Sequence, residues 1–146
     1  MANERILTTL PDGGVTITCP SERAVSCLMR GATGPWHPWF GMPWWFGAVQ
    51  FSRMISAGIM PTAAYRYVRT MFVGGVSRRD AIGIIAARDC GHMGTAIEIV
   101  DISEIPTDRT YRNAWRRSQN GGPIWIDDAA AIRIDEQRLW RAYART

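Results

Sequence analysis

The side chains that could carry chemistry in this chain are few and widely separated. Its two histidines, His37 and His92, lie in the short motifs WHPWF and CGHMG. Neither motif matches a catalytic triad, a phosphate loop or a metalloprotease helix. The acidic pairs at 127–128 and 135–136 lie at the start and on the side of a predicted helix, where the first pair suits the helix dipole. Because no base, nucleophile and oxyanion donor share one pattern, we predict that the protein is not an enzyme.

The three cysteines, Cys19, Cys27 and Cys90, do not form a metal-binding pattern either. Cys90 and His92 are two residues apart and Cys19 and Cys27 are eight apart, so the paired spacing of zinc sites is absent. The N-terminal sequence MANERILTTL lacks the apolar region of a signal peptide, which predicts a reducing compartment and free thiols. We therefore expect no metal and no other cofactor.

A concentration of arginines at 107–118 is the first candidate binding surface. This segment predicts a helix that begins after Thr107, with Tyr111 and Trp115 on the side that faces the protein. The opposite side would carry Arg109, Arg112, Arg116 and Arg117. Such a surface suits the phosphates of a nucleic acid or an acidic protein. The alternative is a solvated surface whose charge is offset by neighbouring acids.

The second candidate surface is the segment GPWHPWFGMPWWF at 34–46, which holds four of the seven tryptophans. Prolines and glycines at this density predict an irregular loop over 31–43. Within it, Trp36, Trp39 and Phe40 lack helical periodicity, so we predict that they lie at the exposed edge and contact a partner. The alternative is that they cover the core as a lid.

The two tryptophans that follow Pro43 have a different expected role. Pro43 suits the first turn of a helix, so Trp44 and Trp45 gain helical order and are predicted to be buried. A nucleobase-stacking platform would need interleaved basic residues, and none lies between Gly31 and Gln50. Contact with a membrane is not expected, because no spanning or amphipathic anchor accompanies the aromatic residues.

The rest of the pattern predicts an α+β fold in a single domain over 1–146. Two β-rich runs at 6–10 and 15–19 flank PDGG, which is typical of a tight hairpin. The alternating segment 95–102 predicts a central strand, of which 96–101 should pair with the hairpin in a small antiparallel sheet. Besides 107–118, helices are predicted over 21–31, 44–57, 62–73, 77–89 and 127–146. The expected architecture is this sheet packed with four to six helices.

The composition, with 47% hydrophobic and 21% charged residues, is that of an ordinary globular protein. All seventeen basic residues are arginine, which we attribute to a GC-rich genome. A net charge of +4 excludes a DNA mimic and permits anionic partners without requiring them. The longest apolar run, 44–60, is too short and too polar to span a bilayer, so we expect a cytoplasmic protein.

The C-terminal half resembles a family of small uncharacterised proteins encoded in phages and prophages, mainly of alphaproteobacteria. The resemblance rests on VDISEIPTDRTYRNAWRRS and on the later segment DDAAAIRIDEQRLWRAY. The family signature Asp-Arg-Thr-Phe-Arg-Asn-Ala-Trp corresponds to 108–115, with Tyr111 in place of Phe. The segment GGVSRRDAIGIIAARDC also resembles the family's helix before the strand, so the resemblance covers 74–144.

The resemblance implies a phage or mobile-element product that acts by binding in a bacterial host cell. Two roles fit: an inhibitor of a host defence nucleoprotein complex, of the anti-CRISPR type, or a virion-assembly factor. A nucleic-acid-binding module that uses the arginines of 107–118 is the alternative. The expected partner is accordingly a protein or nucleoprotein complex, with nucleic acid as the alternative and no membrane.

Overall fold

The computed structural model describes residues 3–93 and 96–146, and in this part of the chain it contains five α-helices and two small antiparallel sheets. The α+β prediction is confirmed. The helices are α1 (Glu22–Arg30), α2 (Trp44–Ser56), α3 (Pro61–Val73), α4 (Arg78–Cys90) and α5 (Asp128–Tyr143). The strands are β1 (Glu4–Thr9), β2 (Val15–Thr18), β3 (Ala96–Asp101), β4 (Trp115–Arg116) and β5 (Trp125–Ile126). Two short 3-10 helices, Ile102–Glu104 and Arg112–Ala114, lie between β3 and β4.

The larger sheet has the strand order β2-β1-β3, with both pairs antiparallel. Its register places Ile6 opposite Thr18 on one side and opposite Ile99 on the other. The hairpin around PDGG and its pairing with the central strand are therefore both as predicted. The first residue of that predicted strand, Thr95, lies outside the described residues.

Strand β1 is buried on both faces, because successive side chains point to opposite sides of the sheet. Ile6 packs into the main core, formed with residues of α1, α3 and α4. Leu7 packs on the other face into a smaller cluster with Val100, Ile105 and Trp115. Helices α1, α3 and α4 thus cover one side of the sheet, and the segment that contains Ile105 and Trp115 covers the other.

Local side-chain caps fix where α1 and α4 begin. The Ser21 hydroxyl accepts the Ala24 N–H, and the Ser77 hydroxyl accepts the Asp80 N–H at 3.1 Å. Helix α2 has no such cap, and Gly47 is its buried residue. At that point α2 packs on α3, where a Cβ on Gly47 would lie 2.7 Å from the Phe72 ring.

The prediction of a helix over 107–118 is wrong. Asp108 accepts the Thr110 N–H at 2.9 Å in a tight turn, one 3-10 turn follows, and the chain becomes extended at β4. Strand β4 pairs with β5 through Trp115 opposite Ile126, and the Arg117 N–H donates to the Gly13 carbonyl at 2.9 Å. Burial of Trp115 against the sheet and these backbone bonds outweigh the local helical preference.

Candidate functional site

The tryptophan loop over 31–43 is a succession of tight turns that is anchored from within. The N–H of His37 donates to the Gly34 carbonyl and the N–H of Phe40 to the His37 carbonyl, each at 3.0 Å. The His37 side chain is buried, and its Nδ1 accepts the Trp39 N–H at 2.9 Å. These bonds give the loop a defined shape although it has no regular secondary structure.

Trp39 packs inward and not at the exposed edge, so that part of the prediction is wrong. Its ring lies 5.3 Å from Phe46, 6.2 Å from Tyr67 and 5.2 Å from Phe72, measured between ring centroids. Edge-on and tilted contacts of this kind are favourable between aromatic rings. Trp39 is thus the residue that joins the loop to α2 and α3, as the alternative of a core lid proposed.

Trp36 and Phe40 lie on the outside of the loop, where the sequence placed them. One face of the Trp36 ring is covered by the Arg30 guanidinium, 4.0 Å from the ring centroid, and the ring makes a T-shaped contact with His37. Phe40 is exposed. Of the three loop residues predicted to contact a partner, these two remain accessible.

The predicted burial of Trp44 and Trp45 is wrong. Trp44 is 82% exposed and Trp45 is 56% exposed. Helix α2 is apolar around most of its circumference, with Arg53 as its one charged residue, so periodicity does not indicate which side packs. The structure uses the side that contains Gly47, because the missing side chain lets α3 approach closely.

The exposed side of α2 presents two apolar concavities. The first, the α2–α3 groove, has a volume of about 420 Å³ and is lined by Met42, Trp44, Gly47, Ala48, Phe51, Tyr65, Val68 and Phe72. The second is shallower, with about 570 Å³, and runs along the outer side of α2. This α2 face consists of Trp44, Trp45, Ala48, Val49, Ser52, Arg53 and Ser56. Apolar surface of this extent is typical of a binding site.

No carboxylate lines either concavity, and the one charged residue among their lining residues is an arginine. Between residues 23 and 79 the sequence has seven arginines and no aspartate or glutamate. Arg53 lies within the α2 face, and Arg66 and Arg69 are exposed on α3. A surface that combines apolar concavities with uncompensated arginines is complementary to an acidic partner with apolar anchors.

The four arginines predicted to form one surface are separated in the structure. Arg109 and Arg112 are exposed. Arg116 is half-buried, lies 3.5 Å from Asp127, and donates to the backbone carbonyls of Asn113 and Trp115. The prediction that these arginines form one helical surface is therefore wrong. The alternative of nucleic-acid binding relied on that surface and loses its geometric support.

Arg117 is turned into the protein and is only 4% exposed. Its Nε donates to the Gly122 carbonyl at 2.8 Å, its Nη1 to the Thr9 hydroxyl at 3.3 Å, and its Nη2 to Glu98. These contacts join the turn before β5 to strands β1 and β3. Because its donors are occupied inside the fold, Arg117 stabilises the structure and does not face a partner.

Three of the candidate chemical groups, His37, Cys27 and Cys90, are buried, whereas Cys19 and His92 are exposed. Burial lowers the pKa of His37, with a smaller opposite effect from the backbone of Cys27, and burial raises the pKa of the Cys27 thiol. All three cysteines are free, and the Cys90 thiol lies 3.7 Å from the Thr18 hydroxyl. Within residues 3–93 and 96–146, no group of three His, Cys, Asp or Glu side chains is arranged to hold a metal ion.

Comparisons with protein-family models, curated proteins and solved structures gave no significant match. Among the described helices, none has both the length and the apolar composition needed to cross a bilayer.

One exposed surface was not identified from the sequence. The sequence predicts helix α5 but does not indicate that the apolar residues on its outer side are exposed. Their signal is present in the helical spacing of Ile132, Leu139 and Tyr143, with Trp140 beside them. The helical pattern shows only that these residues lie on one side of the helix. The structure is needed to show that no other part of the chain packs on that side.

Proposed function

We propose that this chain is a non-enzymatic binding protein that docks an acidic protein partner in the α2–α3 groove. The observation that carries the proposal is the exposure of Trp44 and Trp45 beside a groove whose lining contains no carboxylate and whose helix α3 exposes Arg66 and Arg69. Exposed tryptophans held on a helix lose little conformational entropy on binding and are frequent binding hot spots.

The groove indicates the kind of contact that the partner makes. Small residues, Gly47 and Ala48, and the aromatic rings of Phe51, Tyr65 and Phe72 line it, and its volume of about 420 Å³ accommodates one or two bulky apolar side chains. Arg66 and Arg69 are exposed on the neighbouring helix, where acidic residues beside those anchors would meet them. A concave site of this shape suits a protein segment better than a flat lipid surface.

The biological setting of this docking comes from the sequence resemblance. It supports a phage or mobile-element protein that acts in the cytoplasm of a bacterial host. Inhibition of a host defence nucleoprotein complex and assembly of a virion are the two roles that we propose in this setting. Both depend on protein docking, and neither needs an active site.

The test is capture of a partner from nuclease-treated lysate of a bacterial host, with variants that separate the groove from the rest of the surface. Tyr65→Asp places a charge at an exposed groove wall, and Arg66→Glu reverses a neighbouring charge. The control is Trp125→Ser, which removes an exposed tryptophan from β5. We expect one stoichiometric protein that is lost with either groove variant, is retained by the control, and dissociates as salt is raised.

Several outcomes would contradict the proposal. They are a captured protein that the groove variants do not weaken, a partner that disappears with nuclease treatment, and binding to anionic vesicles without any protein. Turnover of a small molecule by the purified chain would contradict its non-enzymatic character.

A further inference from the structure

Helix α5 carries apolar residues on the side that faces away from the rest of the protein. On its inner side Ala130 is buried, and Asp135 accepts the Tyr111 hydroxyl at 3.0 Å. On its outer side the large side chains are exposed, and Trp140 leaves 72% of its surface in solvent. This α5 stripe consists of Ile132, Glu136, Leu139, Trp140 and Tyr143. Helices normally turn their apolar side toward a partner, so the stripe lacks its partner in the single chain.

The α2 face has a line of small residues on which the apolar stripe of another helix can pack. Ala48, Ser52 and Ser56 recur every four residues along its shallow groove. Small side chains at this spacing form one line on a helix and let another helix approach closely. Trp44 and Trp45 stand at one end of this line and provide aromatic surface there.

One charge on each surface is complementary to the other. Arg53 is the one charged residue of α2, and Glu136 is the one charged residue of the α5 stripe. In the described part of the chain neither has an ion-pair partner. An arginine and a glutamate that are each surrounded by exposed apolar residues can become partners when those surfaces meet.

The positions of the charged and aromatic residues along the two helices favour one relative orientation. When α2 and α5 run antiparallel and the two charges face each other, the aromatic ends of both helices also meet, since each residue advances about 1.5 Å along either helix. Val49 then lies opposite Trp140, and Tyr143 lies within one residue of the position opposite Trp45. A parallel alignment would carry Trp140 and Tyr143 past the end of α2.

We propose that two copies of this chain bind each other in this way, with α2 of one copy lying antiparallel on α5 of the other. Both surfaces are exposed within one chain, so α5 does not cover the α2 face of its own copy. In a two-fold dimer the contact is made twice. Dimerisation is measured with the purified chain alone. The dimer proposal can therefore be refuted while the docking of another protein is confirmed, and the docking can be refuted while the dimer is confirmed.

The test is sedimentation velocity of the purified full chain over a wide concentration range, with charge reversals. Arg53→Glu and Glu136→Arg each place like charges opposite one another, and we expect each to weaken dimerisation by about tenfold or more. An equimolar mixture of the two variants restores both opposite-charge pairs, as does the double variant, and both should dimerise again. Arg66→Glu, an equivalent reversal on α3, is the control and should leave dimerisation unchanged.

All substituted residues are exposed, so circular dichroism should show the same fold throughout. A wild-type chain that stays monomeric at the highest concentration overturns the proposal. It is also overturned if Glu136→Arg has the same effect whatever residue occupies position 53, which would indicate α5–α5 pairing. A monomer that instead sediments with anionic vesicles through the α2 face assigns this surface to lipid and overturns the proposal as well.

Discussion

The backbones of Gly31 and Gly74 pack directly against each other at the carboxyl ends of α1 and α3. A Cβ on Gly31 would lie 2.7 Å from the Gly74 nitrogen, and one on Gly74 would lie 2.5 Å from the Gly31 nitrogen. Both residues have positive φ with extended ψ, 71° and 176° for Gly31 and 66° and −150° for Gly74, a region that only glycine adopts readily. Next to this contact, the Gly75 N–H donates to the Met29 carbonyl at 2.8 Å.

Replacing Gly74 with alanine should therefore destabilise the protein strongly. The added methyl group meets backbone that cannot move aside, and the φ angle is strained, so we expect a loss of about 3 kcal/mol in the free energy of unfolding. Gly75→Ala is the matched control, because Gly75 also has positive φ but has open space around its Cβ position. It should lose only about 1 kcal/mol. Urea unfolding measures both, and equal losses would show that the close approach is unimportant.

The elements that the sequence predicted correctly are those with local signals. The turn residues of PDGG specify the β1–β2 hairpin without help from distant residues. Helices α1 and α4 begin directly after Ser21 and Ser77, whose hydroxyls cap the first turn. Pairing of the central strand with this hairpin followed from its alternation and from the instability of an isolated hairpin.

The candidate site was harder to predict, because its residues depend on which apolar surface packs. Periodicity could not separate the side of α2 that contains Gly47 from the side that contains Trp45, since both are apolar. The segment 107–118 has helical spacing, but burial of Trp115 beside Leu7 gains more free energy than the helix would. Both errors arise from contacts between residues far apart in the sequence.

Mild acid should destabilise the protein through His37. Its buried imidazole has a lowered pKa, so the unfolded chain takes up a proton near the ordinary value of 6.5 while the folded chain still resists protonation. The free energy of unfolding should thus fall as the pH drops below this value and level off below the lowered pKa of the folded state. Chemical unfolding at a series of pH values measures this slope.

Two variants show whether His37 causes this dependence. His37→Asn keeps a side-chain acceptor for the Trp39 N–H but cannot titrate, so the slope that begins near pH 6.5 should disappear. His92→Asn changes the exposed histidine and should keep the slope. The carboxylates with lowered pKa values, Glu4 and Glu22, lose their contribution only at lower pH, from about 4.5 downward. A slope that survives in His37→Asn would refute the assignment.

Arg117 should be important for stability, whereas Arg112 should not. Glu98→Gln would leave the buried guanidinium without its charge partner, and Arg117→Ala would leave Thr9 and the Gly122 carbonyl without a donor. We expect Arg117→Ala to cost about 2 kcal/mol, because the buried Thr9 hydroxyl and the Gly122 carbonyl lose their donor, whereas Glu98 is half exposed and can be solvated. Arg112→Ala, at an exposed position, should stay within about 0.5 kcal/mol. Thermal melts of these variants decide the point, and an unchanged melting temperature for Arg117→Ala would show that its contacts add nothing to stability.

The tryptophans provide the sharpest comparison between stability and binding. Trp39→Ala removes the ring that contacts Phe46, Tyr67 and Phe72, so we expect a loss of about 3 kcal/mol in the free energy of unfolding. Trp44→Ala should change it by about 0.5 kcal/mol or less, because the side chain is mostly in solvent.

When binding is measured instead of stability, Trp44→Ala should have the larger effect and Trp39→Ala the smaller. Trp44→Ala should weaken binding of the protein captured in the groove by about 2 kcal/mol, since the residue lines the groove and is free to contact a partner. Trp39→Ala, measured at a temperature where it remains folded, should affect binding only through the loop that it anchors. Urea unfolding and a titration of the captured protein on the same two variants test the assignment. If Trp44→Ala destabilised the fold as much as Trp39→Ala, Trp44 would be a core residue and could not be a docking anchor.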